Sequence, residues 1–415
     1  MLFIWEASII GIFLSGDLFN IFVLMEVGTV AVSVLIMYNR KNRSMYDGMI
    51  YLMINVVAVQ FYLFGLGYVY RLAGTFDMQL AAYGFAAIDP QNQVLPFALI
   101  TTFVALKCAL LPTFSWLPKA HGTPGASPAV SAVLSGLYIK CGIYLFLRFE
   151  DVFAGIDASN FFLVVGIVTA LLGVIMSLAQ TDIKLMLAYS TIAQVGLIFV
   201  GLSIGNFFGS MYHVVTHAVL KSILFMGAGI IINTLGTRDM RCMNSVWRRL
   251  PFVSIAMGVA MLGIVGAPFF GISKYFLMYG ASLLLTVVLA AINLGTIMIF
   301  MKFLRIFRGT GTRKVVDMWQ QVPILVLGLV TLALGVYSQQ IVSFMFGEHI
   351  YIDMASYLQK SAIFIVSCIA GAVALRYYVP KVKVLERISS LELGFRCMCA
   401  AIGLFFAAIV VYLLI

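Results

Sequence analysis

The sequence predicts an all-α polytopic membrane protein of about 13 transmembrane helices. Three observations carry this. Of 415 residues, 63% are hydrophobic and 10% charged, whereas average soluble chains carry about 25% charge. Apolar segments of about 20 residues, the length that crosses a bilayer as a helix, recur along the whole chain between short polar loops. The alternation of a β-barrel is absent, so the spans are helical.

In order, spans are expected at roughly 2–16, 18–38, 47–70, 94–114, 127–148, 160–179, 183–204, 208–234, 252–280, 282–307, 322–346, 361–379 and 396–415. Loop charges support this series. Arg40, Lys41 and Arg43 follow the second span, Lys119 and His121 the fourth, and Arg238, Arg241, Arg248 and Arg249 the eighth. Arg305, Arg308, Arg313 and Lys314 follow the tenth, and Lys381, Lys383 and Arg387 the twelfth. If every segment crosses once, all these loops share one side, which the positive-inside rule makes cytoplasmic. Glu150, Asp151, Asp157, Glu348 and Asp353 fall on the other side. Residue 1 is then cytoplasmic, in a cell (inner) membrane.

The net charge of +10 is used up in those topogenic loops. No nucleic-acid module or basic–aromatic stretch stands out, so no nucleic-acid partner is expected. Cys108, Cys141, Cys242, Cys368, Cys397 and Cys399 are scattered and imply neither a metal site nor a disulfide framework. No signal peptide is visible: Met1 opens directly into a span containing Glu6, and something else normally precedes it or the chain starts abruptly.

Two spans read as broken. The fourth ends in "LLPTFSWLPKAHGTPGASP", where Pro112 is expected to unwind the helix just beyond Lys107, and the ninth contains "GIVGAPFFGISKYF". A pair of Gly/Pro-interrupted spans in corresponding positions points to an inverted-repeat transporter core. Two inverted five-helix repeats are expected, at 1–150 and 155–308, followed by additional transmembrane helices over 320–415. No residue-by-residue similarity joins the halves, so the repeat rests on layout.

An ionisable residue inside a span is a functional-site hypothesis. Glu26 is the one charge between Leu18 and Tyr38; Lys107 is alone between Val94 and Leu111, and Lys140 between Ser127 and Leu147. Lys274 is the one charge between Phe252 and Met301. His213, His217 and Lys221 stand at i, i+4 and i+8, on one helix face along about 12 Å. Each has a plainer reading: Glu26 as a counter-ion between helices, and a lysine near a span end, Lys302 above all, as a snorkelling cation. The histidine spacing suits a metal, but no carboxylate or thiolate shares that face, so no metal is expected. Neutral imidazoles suit proton transfer better, and Tyr189, Ser190, Thr191 and Thr216 could hold bridging water. Burial disfavours a charged lysine and an adjacent carboxylate restores it. At an effective dielectric near 20, a pair about 4 Å apart is worth roughly 4 kcal/mol. Moving Glu26 relative to Lys107 would therefore switch a proton on and off the lysine, an energy comparable to about 2.3 kcal/mol per charge per 100 mV.

"SGDLFNIFVLMEV" (15–27), "LKCALLPTFSWLPKAHGTPGASPAVSAVLSGLYIKCGIYLFLR" (106–148), "DIKLMLAYSTIAQVGLIFVGL" (182–202), "YHVVTHAVLKSILFMGAG" (212–229) and "GAPFFGISKY" (266–275) resemble the proton-conducting antiporter-like subunits. That family holds the large subunits of Mrp-type sodium/proton antiporters, the N, M and L subunits of complex I, and membrane-bound hydrogenase relatives. The motifs lie in the family's order over about residues 1–310, and the first is most similar to the Mrp D-type protein. The resemblance implies that Glu26 is the carboxylate of the family's fifth helix and Lys107 its partner on the broken seventh. It makes Lys140 the eighth-helix lysine and Lys274 the lysine ending the broken twelfth helix. His213 and His217 would link two half-channels, with Lys221 one turn beyond. On this mapping 1–150 carries family helices 4–8 and 155–308 helices 9–13. The family's first three helices are missing, and two extra spans at the C-terminus depart from the Mrp D-type pattern.

The expectation is a proton-translocating subunit of a larger membrane complex, most similar to an Mrp-type Na+/H+ antiporter subunit. A complex I or hydrogenase pumping subunit, a non-conducting structural subunit and a self-contained organic-substrate transporter are the alternatives. Partners would be other subunits, the lipid bilayer, protons and Na+. No phosphate loop, flavin site, haem ligand pair or cluster motif is visible, so neither cofactors nor a catalytic site of its own are expected.

Overall fold

The computed structural model describes residues 1–347, 354–389 and 392–415; Glu348 and Asp353, expected on the acidic side, lie outside them. Among the described residues the chain is helical, with two isolated β-bridges and no strand. The helices are α1 (Leu2–Leu14), α2 (Leu18–Met37), α3 (Asn42–Ala73), α4 (Met78–Ala86), α5 (Pro90–Lys107), α6 (Trp116–Gly122) and α7 (Pro128–Val133). A π-helical segment, Leu134–Tyr138, joins α7 to α8 (Ile139–Val152). There follow α9 (Ser159–Ala179), α10 (Ile183–Ser203), α11 (Phe207–Leu235), α12 (Val246–Arg249), α13 (Pro251–Val265), α14 (Ile272–Leu277) and α15 (Leu283–Phe303). The last are α16 (Met318–Val336), α17 (Ser338–Phe346), α18 (Met354–Tyr377), α19 (Val384–Ser389) and α20 (Phe395–Leu414).

Among the described residues, ten helices are long and apolar enough to cross a membrane. The three remaining expected spans fall on α1, α5 and α13, which are shorter or open on polar residues. The expected 322–346 is divided between α16 and α17, and α4 occupies a stretch read as loop. Its cap explains it: Asp77 accepts from the backbone N–H of Gln79 and Leu80, satisfying donors that a helix start leaves open.

Two compact units are distinguished: Met1–Val165 with Glu392–Ile415, and Gly166–Leu391. In the first, α2 packs on α1 and α3, α3 on α5, and α5 on α8 and α20. In the second, α11 packs on α10, α13, α14 and α16, and α15 on α18. One local design recurs in both. Asp17 caps α2 and bridges to Asp77 after α3; Asp182 caps α10 and bridges to Asp239 after α11. In each unit a short helix follows, α4 or α12, and then an interrupted one, α5–α6 in the first and α13–α14 in the second.

The first interruption begins earlier than Pro112 suggests. Helix α5 ends at Lys107, and Ala109 already has a left-handed φ of 52°. The stop is a local Schellman turn: Ala109 N–H donates to the Leu106 carbonyl and Leu110 N–H to that of Ala105, both at 2.9 Å, and the indole N–H of Trp116 adds a second bond to the Leu106 carbonyl at 2.7 Å.

Candidate functional site

In the first unit the geometry centres on Lys107. As the last residue of α5, its cationic side chain stands at the helix end that carries partial negative charge. It is 2% exposed. The ammonium donates to Asn55 Oδ1 on α3 at 2.8 Å and Thr29 Oγ1 on α2 at 2.9 Å, with the Tyr138 hydroxyl at 3.5 Å. Each partner is itself anchored. Asn55 Nδ2 donates to the Tyr51 carbonyl, and the Thr29 hydroxyl to that of Met25. The rings of Phe103 and Tyr138 lie 5.3 and 5.5 Å from the nitrogen, within cation–π range.

Glu26 stands one turn before Thr29 on α2. It is near enough to attract the ammonium through space, but no ion pair joins the two: Glu26 Oε1 is buried without a hydrogen-bond partner. Thr29 and Asn55 take the positions a carboxylate would occupy. The hydrogen bonds that offset the burial of the ammonium come from neutral oxygens, with Glu26 acting on it through space.

Lys140 is the second residue of α8, directly after the π-helical segment, and its ammonium donates back to the Ser135 carbonyl. π-Segments inside α-helices widen one turn and frequently mark functional sites. Beyond the break, His121 on α6 is fully buried while Lys119 is half-buried over the Tyr46 ring.

In the second unit, α10 and α11 face each other along a polar row. Lys221, fully buried, donates to the Leu187 carbonyl and the Ser190 hydroxyl, both at 2.9 Å. One turn toward the start of α11 is His217; its ring centroid lies 6.0 Å from that of His213. His213 is held on both nitrogens, by Gln194 Oε1 at 3.1 Å and by the Ser273 hydroxyl at 3.1 Å. Gln194 continues to Thr296 on α15 at 3.4 Å. Ser273 precedes Lys274 on α14, and the Lys274 ammonium donates to Asn293 Oδ1 on α15. The return of the chain into α14 needs two glycines back to back: a Cβ on Gly271 would stand 2.2 Å from Gly266 Cα.

The geometry thus gathers Glu26 and Lys107 in one unit, with Lys140 on a neighbouring helix, and Lys221, His217, His213 and Lys274 in the other. Sequence reasoning missed the neutral members, Thr29, Asn55, Gln194, Ser273 and Asn293. The available signal was weak: an amide standing alone in an apolar stretch, as Gln194 and Asn293 do. Lys302 differs from expectation too. It donates to the Leu178 and Gln180 carbonyls at 2.7 and 2.6 Å, satisfying the end of α9 instead of reaching for headgroups. All six cysteines are free, and among the described residues no cluster of His, Cys, Asp and Glu could hold a metal.

A row of buried ammoniums and imidazoles joined through amides and hydroxyls can store and relay protons. The sequence profile described as NADH:quinone oxidoreductase/Mrp antiporter, TM, matches residues 15–306. The N subunit of the NADH-quinone oxidoreductase of Desulforudis audaxviator is 32% identical over 372 residues, covering 81% of this chain and 74% of that protein. The D-type subunit of the Na(+)/H(+) antiporter of Alkalihalophilus pseudofirmus is 30% identical over 299 residues, 69% of this chain and 60% of the relative. Hydrogenase-4 component B of Escherichia coli is 30% identical, and the chain spans 42% of its length. In fold, a chain of the Mrp complex from Dietzia sp. DQ12-45-1b superposes with a TM-score of 0.76 at 22% identity, over 93% of this chain and 79% of that one. A chain of the membrane-bound sulfane sulfur reductase, an archaeal respiratory membrane complex, gives a TM-score of 0.73 at 22% identity, over 89% and 76%.

Proposed function

The chain belongs to the NADH:quinone oxidoreductase/Mrp antiporter family, and from that premise we propose that it is a proton-translocating subunit of a multi-subunit membrane complex of the Mrp type. One observation carries the reading. The Lys107 ammonium is enclosed yet bound to neutral oxygens, beside the half-buried Glu26, whose Oε1 is enclosed without a hydrogen-bond partner. A fixed ion pair would lock the charge in place. An ammonium on an amide and a hydroxyl can give up its proton and leave both partners satisfied, since each has a second hydrogen bond.

In this reading Glu26 and Lys107 form the first proton-holding site and Lys140 passes the proton on. His217 and His213 relay it in the second unit, with Lys221 biasing the row by its charge and Lys274 ending it. Proton influx then drives monovalent cation export through the partner subunits. The protein resides in the cell membrane, with residue 1 on the cytoplasmic side.

A second reading places the chain in a redox-driven complex, because the quinone-oxidoreductase relative aligns over 372 residues against 299 for the antiporter relative. The proton row would be the same and its driver different. Lys107→Ala and Glu26→Gln in the assembled complex test both readings. Proton-coupled transport, followed with a pH-sensitive dye in membrane vesicles, should be abolished by each. Undiminished transport in both variants, at normal complex content, would sink proton conduction. Dependence on added Na+ separates the antiporter from the redox complex.

A further inference from the structure

A cavity of about 450 Å³ opens beside Lys274 in the second unit. It has room for on the order of ten water molecules, given about 30 Å³ of liquid volume for each. One wall is the interruption between α13 and α14, with Lys274, and α15, with Asn293. The opposite wall is α18, which supplies Lys360 and Ser361. Helix α18 begins well beyond residue 306, where the family match stops.

Lys360 is not a surface cation that happens to point inward. Its nitrogen sits 4.0 Å from the centroid of the Tyr275 ring and 3.4 Å from the Tyr275 carbonyl. Tyr275 is the residue after Lys274. Tyr357, one turn earlier on α18, accepts from the backbone N–H of Phe269 at 2.8 Å, binding the helix to the interruption itself. Phe269 holds a left-handed φ of 66°, a conformation costly for an aromatic residue and kept by such contacts. Helix α18 is thus fastened to the broken segment at both turns, and a second ammonium reaches the space into which Lys274 faces.

We propose that this cavity is a water-filled vestibule and that Lys360 is its outer proton-exchanging group, passing protons between Lys274 and the bulk phase. The inference rests on the proton-translocating function proposed above. In the step, an N–H bond breaks on one lysine as another forms on the next through intervening water. No electron moves and no other reactant is needed. Asn293 keeps Lys274 oriented, while the Tyr275 ring and carbonyl hold Lys360 over the opening.

The test is Lys360→Cys in the complete complex, assayed for proton-coupled transport before and after treatment with two thiol reagents. One is 2-aminoethyl methanethiosulfonate, which restores an ammonium; the other is methyl methanethiosulfonate, which adds a neutral group. Transport should fall at least ten-fold in the variant and recover with the cationic reagent alone. Full activity of the untreated variant, or recovery with both reagents or with neither, would overturn the proposal. Ser361→Cys, which leaves every ammonium in place, should react with a water-soluble maleimide above the level of the parent chain; no added labelling would mean a dry cavity and would also overturn it. Loss of transport in Lys107→Ala beside a normal Lys360→Cys refutes the vestibule alone, whereas normal transport in both Lys107→Ala and Glu26→Gln refutes the underlying function.

Discussion

Replacing Gly196 with Ala should damage transport without touching any ionisable group. Helices α9 and α10 meet at small residues, and a Cβ at position 196 would stand 2.5 Å from Ala170 N and 2.6 Å from Gly166 O. Both neighbours are backbone and cannot rotate away. Comfortable contact needs about 3.5 Å, so α10 must shift by about 1 Å. Gln194, two residues back on the same helix, holds His213 at 3.1 Å. A shift of about 1 Å in either direction takes that bond outside the usual range of about 2.7–3.2 Å. Misplacement on that scale costs up to about a hundred-fold in rate, and overpacking of this kind about 1–3 kcal/mol in stability. The assay is proton-coupled transport per assembled complex in vesicles, with a thermal melt in detergent. Gly258→Ala is the control: it lies inside α13 with nothing within 4 Å of the added carbon, and Ala in a helix interior gains about 0.5–1 kcal/mol over Gly. A Gly196→Ala variant with parental rate and melting temperature would refute the reasoning.

Lys302→Met should lower thermal stability by about 1–3 kcal/mol, because the Leu178 and Gln180 carbonyls lose their donor; a melt unchanged from the parent would show that water replaces the ammonium at no cost. Asp157, just ahead of α9, is held below the usual carboxyl range by a hydrogen bond from the Ser159 hydroxyl and a second from the Ser159 backbone N–H at 2.9 Å. Since the folded state favours the ionised form, the stabilisation is present above about pH 4, the ordinary aspartate value, and is lost as pH falls through the lowered one. Asp157→Ala should cost about 1 kcal/mol at neutral pH, and denaturant melts of variant and parent should converge in acid; a gap that persists there would assign the effect to something other than the carboxylate.

Much of the architecture is legible because a bilayer enforces it. Runs of apolar residues between basic loops locate the helices, and Pro112, Gly266 and Gly271 announce the two interruptions. The position of the first stop is not legible, since the left-handed position that ends the helix is held by Ala109 and not by the glycine or asparagine usual there. The candidate charges are visible for the opposite reason: a lysine in a span is too costly to be filler. Their partners are hidden. Thr29, Asn55 and Gln194 look like any tolerated polar residue until tertiary packing aims them at Lys107 and His213. Sequence logic supplies Lys107 with a carboxylate of opposite charge, and the structure adds the neutral oxygens of Thr29 and Asn55 that hold its hydrogen bonds.

Helix α20 has a consequence for how the protein is made. It belongs with the first unit, lying on α3 and α5; Phe406 meets Phe61, and Arg43 reaches forward to Glu392 just before the helix, at 2.7 Å. Residues 392–415 leave the ribosome after the whole second unit, so the face of α5, whose final residue is Lys107, stays uncovered until they emerge. A newly made chain therefore holds its first unit open while the entire second unit is inserted.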